Sequence, residues 1–440
     1  MSSPGSSNTS PPTDLKPLYF VAWLLCALFY LYQYAARSAP GVMQDQLTAA
    51  WGGNHIGAMI SAYYVAYAVT ALAAGLLLDR YGAARVIPYA IAFVGVGCLV
   101  FAQGSQADGM IGFILQGVGA VFAFIGASYV AARNLPARMY AIFTGLTQCL
   151  GMLGAAFGSK PVQMAIDPSG AIGMSWQHMW IVFAVIGFVL AAATWIVMPR
   201  EHGDGVSHHG PLSLSNLVRP FKIVLGNGQS WLAGAVGGLL FVPTTIGAMV
   251  WATSFLHTGQ HISMAQAASD ASMVPIGWVI GCPLLGYVSD GIGRRKPVLI
   301  GGGLVMLVAA IAAVYLPEGA LPRYSVPLVL GIGSGAAMIP FAMIKEANPA
   351  EVKGTAAGVM NFLVFLVTGL MSPFVSRLMT PSSDVPLSLH EFQEGFLPLI
   401  VGIVLATLLS FVIRETGAGS QTAESRPATV PTKGALRGRA

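Results

Sequence analysis

The feature that most constrains this chain is a recurrence. Twelve apolar stretches of about 20 residues follow one another, separated mostly by short polar connections. They read 18–39, 54–78, 86–103, 109–132, 139–163, 177–198, 230–256, 265–288, 297–316, 324–344, 352–379 and 391–413. A helix of about 20 residues rises about 30 Å, the thickness of a bilayer's hydrocarbon core. Only 9% of the chain is charged, against about 25% in a soluble domain. So few charges cannot cover a water-facing surface, whereas lipid around a helical bundle removes that need. The 53 glycines would weaken soluble helices, but between membrane helices they permit close backbone approach. The expected fold is an all-α membrane protein.

The longest polar interruption divides the helices six and six. The expected organisation is a disordered cytoplasmic tail over 1–16, a six-helix bundle over 17–198, and a central cytoplasmic loop over 199–229. A second six-helix bundle follows over 230–413, then a cytoplasmic tail over 414–440. No short apolar region with a small-residue cleavage site follows the first tail, so no cleaved signal peptide is read. Cys26, Cys98, Cys149 and Cys282 lie singly in apolar stretches, which speaks against disulfides and a zinc site.

Basic residues set the orientation. With the N-terminus in the cytoplasm, the inner connections hold Arg80, Arg85, Arg133, Arg138, Arg200, Arg219, Lys222, Arg294, Arg295, Lys296, Lys345 and Lys353. The outer ones hold Arg323, with Arg377 near an outer helix end, and carry Asp45, Asp108, Asp167, Glu318 and Asp384. Both termini are therefore expected in the cytoplasm. The net charge of +5 belongs to this asymmetry, and no nucleic-acid partner is expected.

Two connections repeat a pattern. Residues 75–85 read GLLLDRYGAAR and residues 286–296 read GYVSDGIGRRK. Both contain Gly-x-x-x-Asp-x-x-Gly followed by a basic residue: Gly75, Asp79, Arg80, Gly82 and Arg85, then Gly286, Asp290, Gly293 and Arg294. Copies about half a chain apart indicate two homologous halves. The first glycine suits a close approach of helix ends, the Asp suits a neighbouring helix N-terminus, and the second glycine suits a tight turn. A gating role is expected, with contacts made in one access state and broken in the other.

With this signature in both halves of a twelve-segment chain, the sequence resembles the major facilitator superfamily over residues 18–413. The resemblance implies two pseudo-symmetric six-helix bundles and secondary transport by alternating access. More narrowly, YLYQYAARSAPGVM, LTQCLGMLGAAFG and KEANPAEVKGTAAGVMNF are similar to bacterial relatives of the lysosomal dipeptide transporters. An Arg late in the first helix resembles the organic-anion branch, where the resemblance implies substrate-carboxylate contact for Arg37. The drug-exporter pattern is not met. Phe113 stands where an Arg would precede Gln116 and Gly117, and no Pro accompanies Gly151, Gly154 and Gly158.

Tyr30, Gln33, Tyr34 and Arg37 fall on one helical face. Two readings of that face stand. Either it binds a polar solute, with Arg37 forking onto a carboxylate, or it is an interfacial belt with a snorkelling Arg. Lys160, beside Pro161, is a candidate for substrate or gate, or a plain helix-end Lys. Trp251 and Asn361, the latter in line with Thr368 and Ser372, are candidate cavity residues or bundle packing. Glu346 is expected to pair with a nearby basic side chain rather than to touch substrate.

No Asp or Glu sits mid-helix, so coupling to H+ or Na+ is left open. No phosphate-binding Gly-x-x-x-x-Gly-Lys-Ser/Thr loop, HExxH or GxSxG occurs, which removes ATP hydrolysis and intramembrane hydrolysis. No cofactor or metal is expected. The function read is secondary transport of a small anionic or zwitterionic solute, an organic acid or dipeptide, through a bacterial inner membrane, by a monomer. The alternatives are another solute class, such as a siderophore or drug, and a transport-dead receptor or scaffold.

Overall fold

The computed structural model describes residues 17–52, 55–136, 139–199, 214–317, 319–379 and 387–417. The first tail, most of the second, Arg138, Arg200, Glu318 and Asp384 lie outside these residues.

Among the described residues, twelve helical spans are long and apolar enough to cross a membrane: α1 Pro17–Val42, α2 Ile56–Leu78, α3 Ala83–Phe101, α4 Gln106–Asn134, α5 Ile142–Ile166, α6 Trp176–Val197, α7 Gly228–Gly259, α8 Met264–Ile292, α9 Lys296–Tyr315, α10 Ser325–Glu346, α11 Lys353–Leu378 and α12 Leu389–Val412. Each corresponds to one apolar stretch of the sequence. Large aliphatic side chains such as Val69, Ile196, Val308 and Val412 are exposed on their outer faces, as lipid contact requires.

Local chemistry starts and interrupts these helices. Ser105, Ser175, Asn227, Ser263 and Ser388 cap helix N-termini, and Ser388 forms a full capping box with Glu391. Pro161 lacks a backbone N–H, and α5 breaks at Gly158–Ser159 before resuming at Lys160. A π-helical stretch, Pro243–Trp251, interrupts α7, a local underwinding that periodicity does not reveal. The central connection is not all loop. It contains a helix, Leu214–Gly226, ahead of α7.

The α5 glycines explain how α1 packs. A Cβ on Gly151 would lie 2.3 Å from the Tyr30 ring, one on Gly154 2.0 Å from the Leu31 carbonyl oxygen, and one on Gly158 2.3 Å from that of Ala35. Only glycine allows this approach, and it presses the polar face of α1 inward.

The two halves meet away from the end that carries the termini. There α1 abuts α7, where a Cβ on Gly41 would fall 2.2 Å from the Met249 carbonyl oxygen. Gln44 donates to the Val250 carbonyl and accepts from Ser254 at 3.0 Å. Ser61 donates to Gly369 at 2.7 Å and Ser372 to Gly57 at 3.1 Å, closing α2 against α11. Lys160 joins α5 to α8 through the Ala265 carbonyl at 2.7 Å. This end of the molecule is sealed.

At the terminal end, the signature glycines Gly82 and Gly293 both have positive φ, +75° and +70°. Each copy therefore has a turn that disfavours any side chain. The expected close approach at Gly75 and Gly286 is not made, since a Cβ at either would meet open space. In this conformation no neighbouring helix is drawn against those positions. In the second copy Asp290 pairs with Arg295 rather than capping a helix. The α9 N-terminus is instead capped by Glu415, which accepts from the main-chain N–H of Arg295 at 2.7 Å and of Lys296 at 3.1 Å. Glu346 pairs with Arg295 at 2.8 Å, as expected of it, and Arg294 lies 3.8 Å from Glu415. Arg80 and Arg85 lie at the same end, while the Asp79 side chain is outside those described.

Candidate functional site

The polar face of α1 is inside the protein. Tyr30, Gln33, Tyr34 and Arg37 are all buried, Arg37 at 4% exposure. The guanidinium therefore does not reach the molecular surface, which removes the snorkelling reading. Its carbon lies 3.7 Å from the centre of the Tyr34 ring, 5.6 Å from that of Tyr64 and 5.9 Å from that of Tyr63. Three aromatic faces thus surround one cation.

Hydrogen bonds hold the cage in shape. Tyr30 donates to the Gln148 side-chain oxygen on α5 at 3.2 Å. Tyr63 on α2 donates to the Gln33 side-chain oxygen at 3.0 Å. Tyr67 and Tyr64 carry the cage toward the second half, with ring centres 4.1 Å and 5.7 Å from Phe365 on α11. Phe365 in turn meets Phe241 on α7 at 5.5 Å. Behind it, Trp278 on α8 donates to the Thr244 hydroxyl at 3.2 Å.

What the cage lacks is an anionic acceptor. Among the described residues, Nε and both terminal nitrogens of Arg37 have no hydrogen-bond partner, and neither does Nε2 of Gln33. Cation–π contact with desolvated rings contributes about 2 kcal/mol. Burying an unpaired ion costs several kcal/mol. Among the described residues no carboxylate pairs with Arg37. Buried donors without partners call for an acceptor that the described residues do not supply.

The other sequence candidates make different contacts. Lys160 reaches Ala265 and, at 3.5 Å, Gln163, so it belongs to the seal between halves and not to the cage. Asn361 donates to Ala357 of its own helix at 3.1 Å, and Thr368 to Val364 at 3.0 Å. Trp251 is fully buried in the π-helical stretch, with its indole N–H unpartnered. Sequence reasoning missed Tyr63, Tyr64, Tyr67, Gln148 and Phe365 as members of the cage. The signal was present in α2, where Tyr63 and Tyr67 are spaced i, i+4 in an apolar helix, just as Tyr30 and Tyr34 are in α1.

Comparison with known proteins follows the same lines. The sequence model described as Major Facilitator Superfamily matches residues 20–373. The D-xylose transporter of Levilactobacillus brevis is 28% identical over 154 residues, a stretch covering 35% of this chain and 33% of that protein. This chain thus spans about a third of the length of that relative. The hexuronate transporter of Bacillus subtilis (strain 168) is 24% identical over 417 residues, covering 92% of this chain and 90% of that protein. Among solved structures, a bacterial homologue of the human lysosomal transporter Spinster, inward-facing and occupied, superposes with a TM-score of 0.70. The superposition covers 91% of this chain and 97% of that one at 13% identity.

Proposed function

This chain belongs to the Major Facilitator Superfamily and is a transporter rather than an enzyme, and from that premise we propose that its solute is a small organic anion whose carboxylate is held by Arg37. The observation that carries the proposal is the buried guanidinium with three unpartnered nitrogens. A carboxylate supplies the charge and the paired acceptors that a guanidinium fork matches. A zwitterion such as a dipeptide is supported less well, because its ammonium group needs an anionic partner and the cage offers rings and hydroxyls. The hexuronate transporter is named for an organic acid, which agrees with an anion.

Basic residues concentrated at the terminal end support cytoplasmic termini in a bacterial inner membrane. The sealed end then faces outward, and the solute is released to or taken from the cytoplasm in this state. The signature turns, Lys160 and the α1–α7 contact act as gates. Coupling to H+ or Na+ is compatible with this scheme, as is facilitated movement.

The test is counterflow of labelled glucuronate in proteoliposomes, comparing the wild type with Arg37→Lys and Arg37→Ala at matched protein. Lys keeps the charge but loses the fork. Losing one charge-assisted hydrogen bond, about 1.5–3 kcal/mol, weakens affinity about 10- to 150-fold. Arg37→Ala is weaker still. Equal affinities in wild type and Arg37→Lys refute the clamp.

A further inference from the structure

The geometry points to a second reading head beside Arg37: Gln33 selects acids that carry an oxygen on the carbon next to the carboxylate, namely 2-hydroxy and 2-oxo acids. This rests on the reading of Arg37 as the carboxylate clamp.

Gln33 lies one helical turn before Arg37 on the same face of α1, 2% exposed. Side chains at i and i+4 on a helix stand about 5–6 Å apart at Cβ, so one small molecule touches both. The Tyr63 hydroxyl occupies the Gln33 side-chain oxygen at 3.0 Å and thereby fixes the amide plane. The other end of that amide, Nε2, is left without a partner. Tyr63 also offers its ring to the Arg37 guanidinium, so one residue orients the amide and walls the cation.

The orphaned atoms of this pair are all donors: three nitrogens of Arg37 and one of Gln33. A bare carboxylate satisfies the fork and leaves the Gln33 amide dry. A second acceptor one carbon from the carboxylate satisfies it. An acceptor on that adjacent carbon is the nearest one a ligand can offer beside its carboxylate. A site with a buried donor rejects a ligand that cannot meet it, because that donor is desolvated without compensation. Gln33 is thus a specificity-determining contact and Tyr63 its positioning residue.

The experiment uses the full-length protein in detergent and ligand-induced thermal stabilisation, with two matched trios as probes. One is propanoate, lactate and pyruvate. The other is phenylacetate, mandelate and phenylglyoxylate. In the trio that binds, the two 2-oxygenated acids are expected to bind about tenfold or more tighter than the unsubstituted one. In Gln33→Leu the three acids converge, because the two 2-oxygenated acids lose more affinity than the unsubstituted one. In Tyr63→Phe, which keeps the ring and frees the amide, the preference shrinks. A merely structural role for Gln33 would weaken all three acids alike, and that outcome overturns the inference. So does a wild type without preference, or a preference that survives in Gln33→Leu. If Gln33→Leu does not fold, an undiminished preference in Tyr63→Phe overturns it. If no acid of either trio binds, or if Arg37→Lys binds the unsubstituted acid as well as the wild type does, the carboxylate clamp is what has failed.

Discussion

Replacing Gly41 by Ala tests whether the sealed end opens and closes as α1 meets α7. The added Cβ would lie 2.2 Å from the Met249 carbonyl oxygen, 3.1 Å from its carbon and 3.4 Å from the Val250 Cα. All three atoms are main chain, so no rotamer change relieves the contact, and the halves must part by roughly 1 Å to restore van der Waals distance. Overpacking of this kind costs about 1–3 kcal/mol. The cost falls only on the state in which these backbones touch, so it shifts the equilibrium toward the opened end by about 5- to 150-fold. Val250 reports the shift, because it is buried on α7 with its Cα at this contact. In a background with the four native cysteines replaced, Val250→Cys is treated with a membrane-impermeant thiol reagent, with and without Gly41→Ala. The expected result is labelling at least fivefold faster with Gly41→Ala, and slower transport. Unchanged labelling together with unchanged transport would show that the working cycle does not bring Gly41 against Met249.

Further expectations follow from the terminal end and the topology. Asp79→Asn is expected to reduce transport far more than it reduces folded protein. Asp290→Asn is expected to do less, since Arg295 keeps Glu346 when Asp290 is lost; transport is measured per folded protein, and a wild-type rate in Asp79→Asn removes the gating assignment. Burial raises the Glu415 carboxyl, but the main-chain N–H groups of Arg295, Gly417, Lys296 and Thr416 outweigh it and hold the group below the usual range. A depressed carboxyl stabilises the fold above its unfolded value and loses that contribution as pH falls through the folded one. The gap in thermal midpoint between wild type and Glu415→Gln should therefore be full at pH 7 and close in acid below about pH 4; a gap independent of pH refutes the role of the charge. Single cysteines replacing Asp204 and Glu424 should label only in permeabilised cells, and one replacing Asp108 should label from outside; labelling at 204 in intact cells overturns the orientation.

The sequence made the spans legible because lipid demands whole apolar helices, and the two signature turns legible because their glycines carry positive φ. It also singled out the polar face of α1 that the structure buries. Periodicity tells which residues share a face, but not which helices converge on it. Tyr63, Tyr64 and Tyr67 were therefore missed although their spacing in α2 matches that of α1, and Phe365 comes from the other half of the chain. Lys160 read as a substrate or gating residue or as a plain helix-end Lys, because its carbonyl partner on α8 leaves no mark in the composition of either helix. Gly75 and Gly286 read as contact points, yet such contacts belong to one conformation of a moving molecule, and this structure holds another.

The seal between the halves has a further consequence for how its failures would be found. Gln44, Ser61, Lys160 and Ser372 each hand a hydrogen to a main-chain carbonyl, of Val250, Gly369, Ala265 and Gly57. An amide oxygen belongs to every residue type, so no side-chain replacement deletes it. A saturation scan for leaky variants would therefore be lopsided. It would light up the donor positions and stay silent at their acceptors, except where a new side chain intrudes. With no ion pair among these four contacts, the closure would also be nearly indifferent to ionic strength outside the membrane.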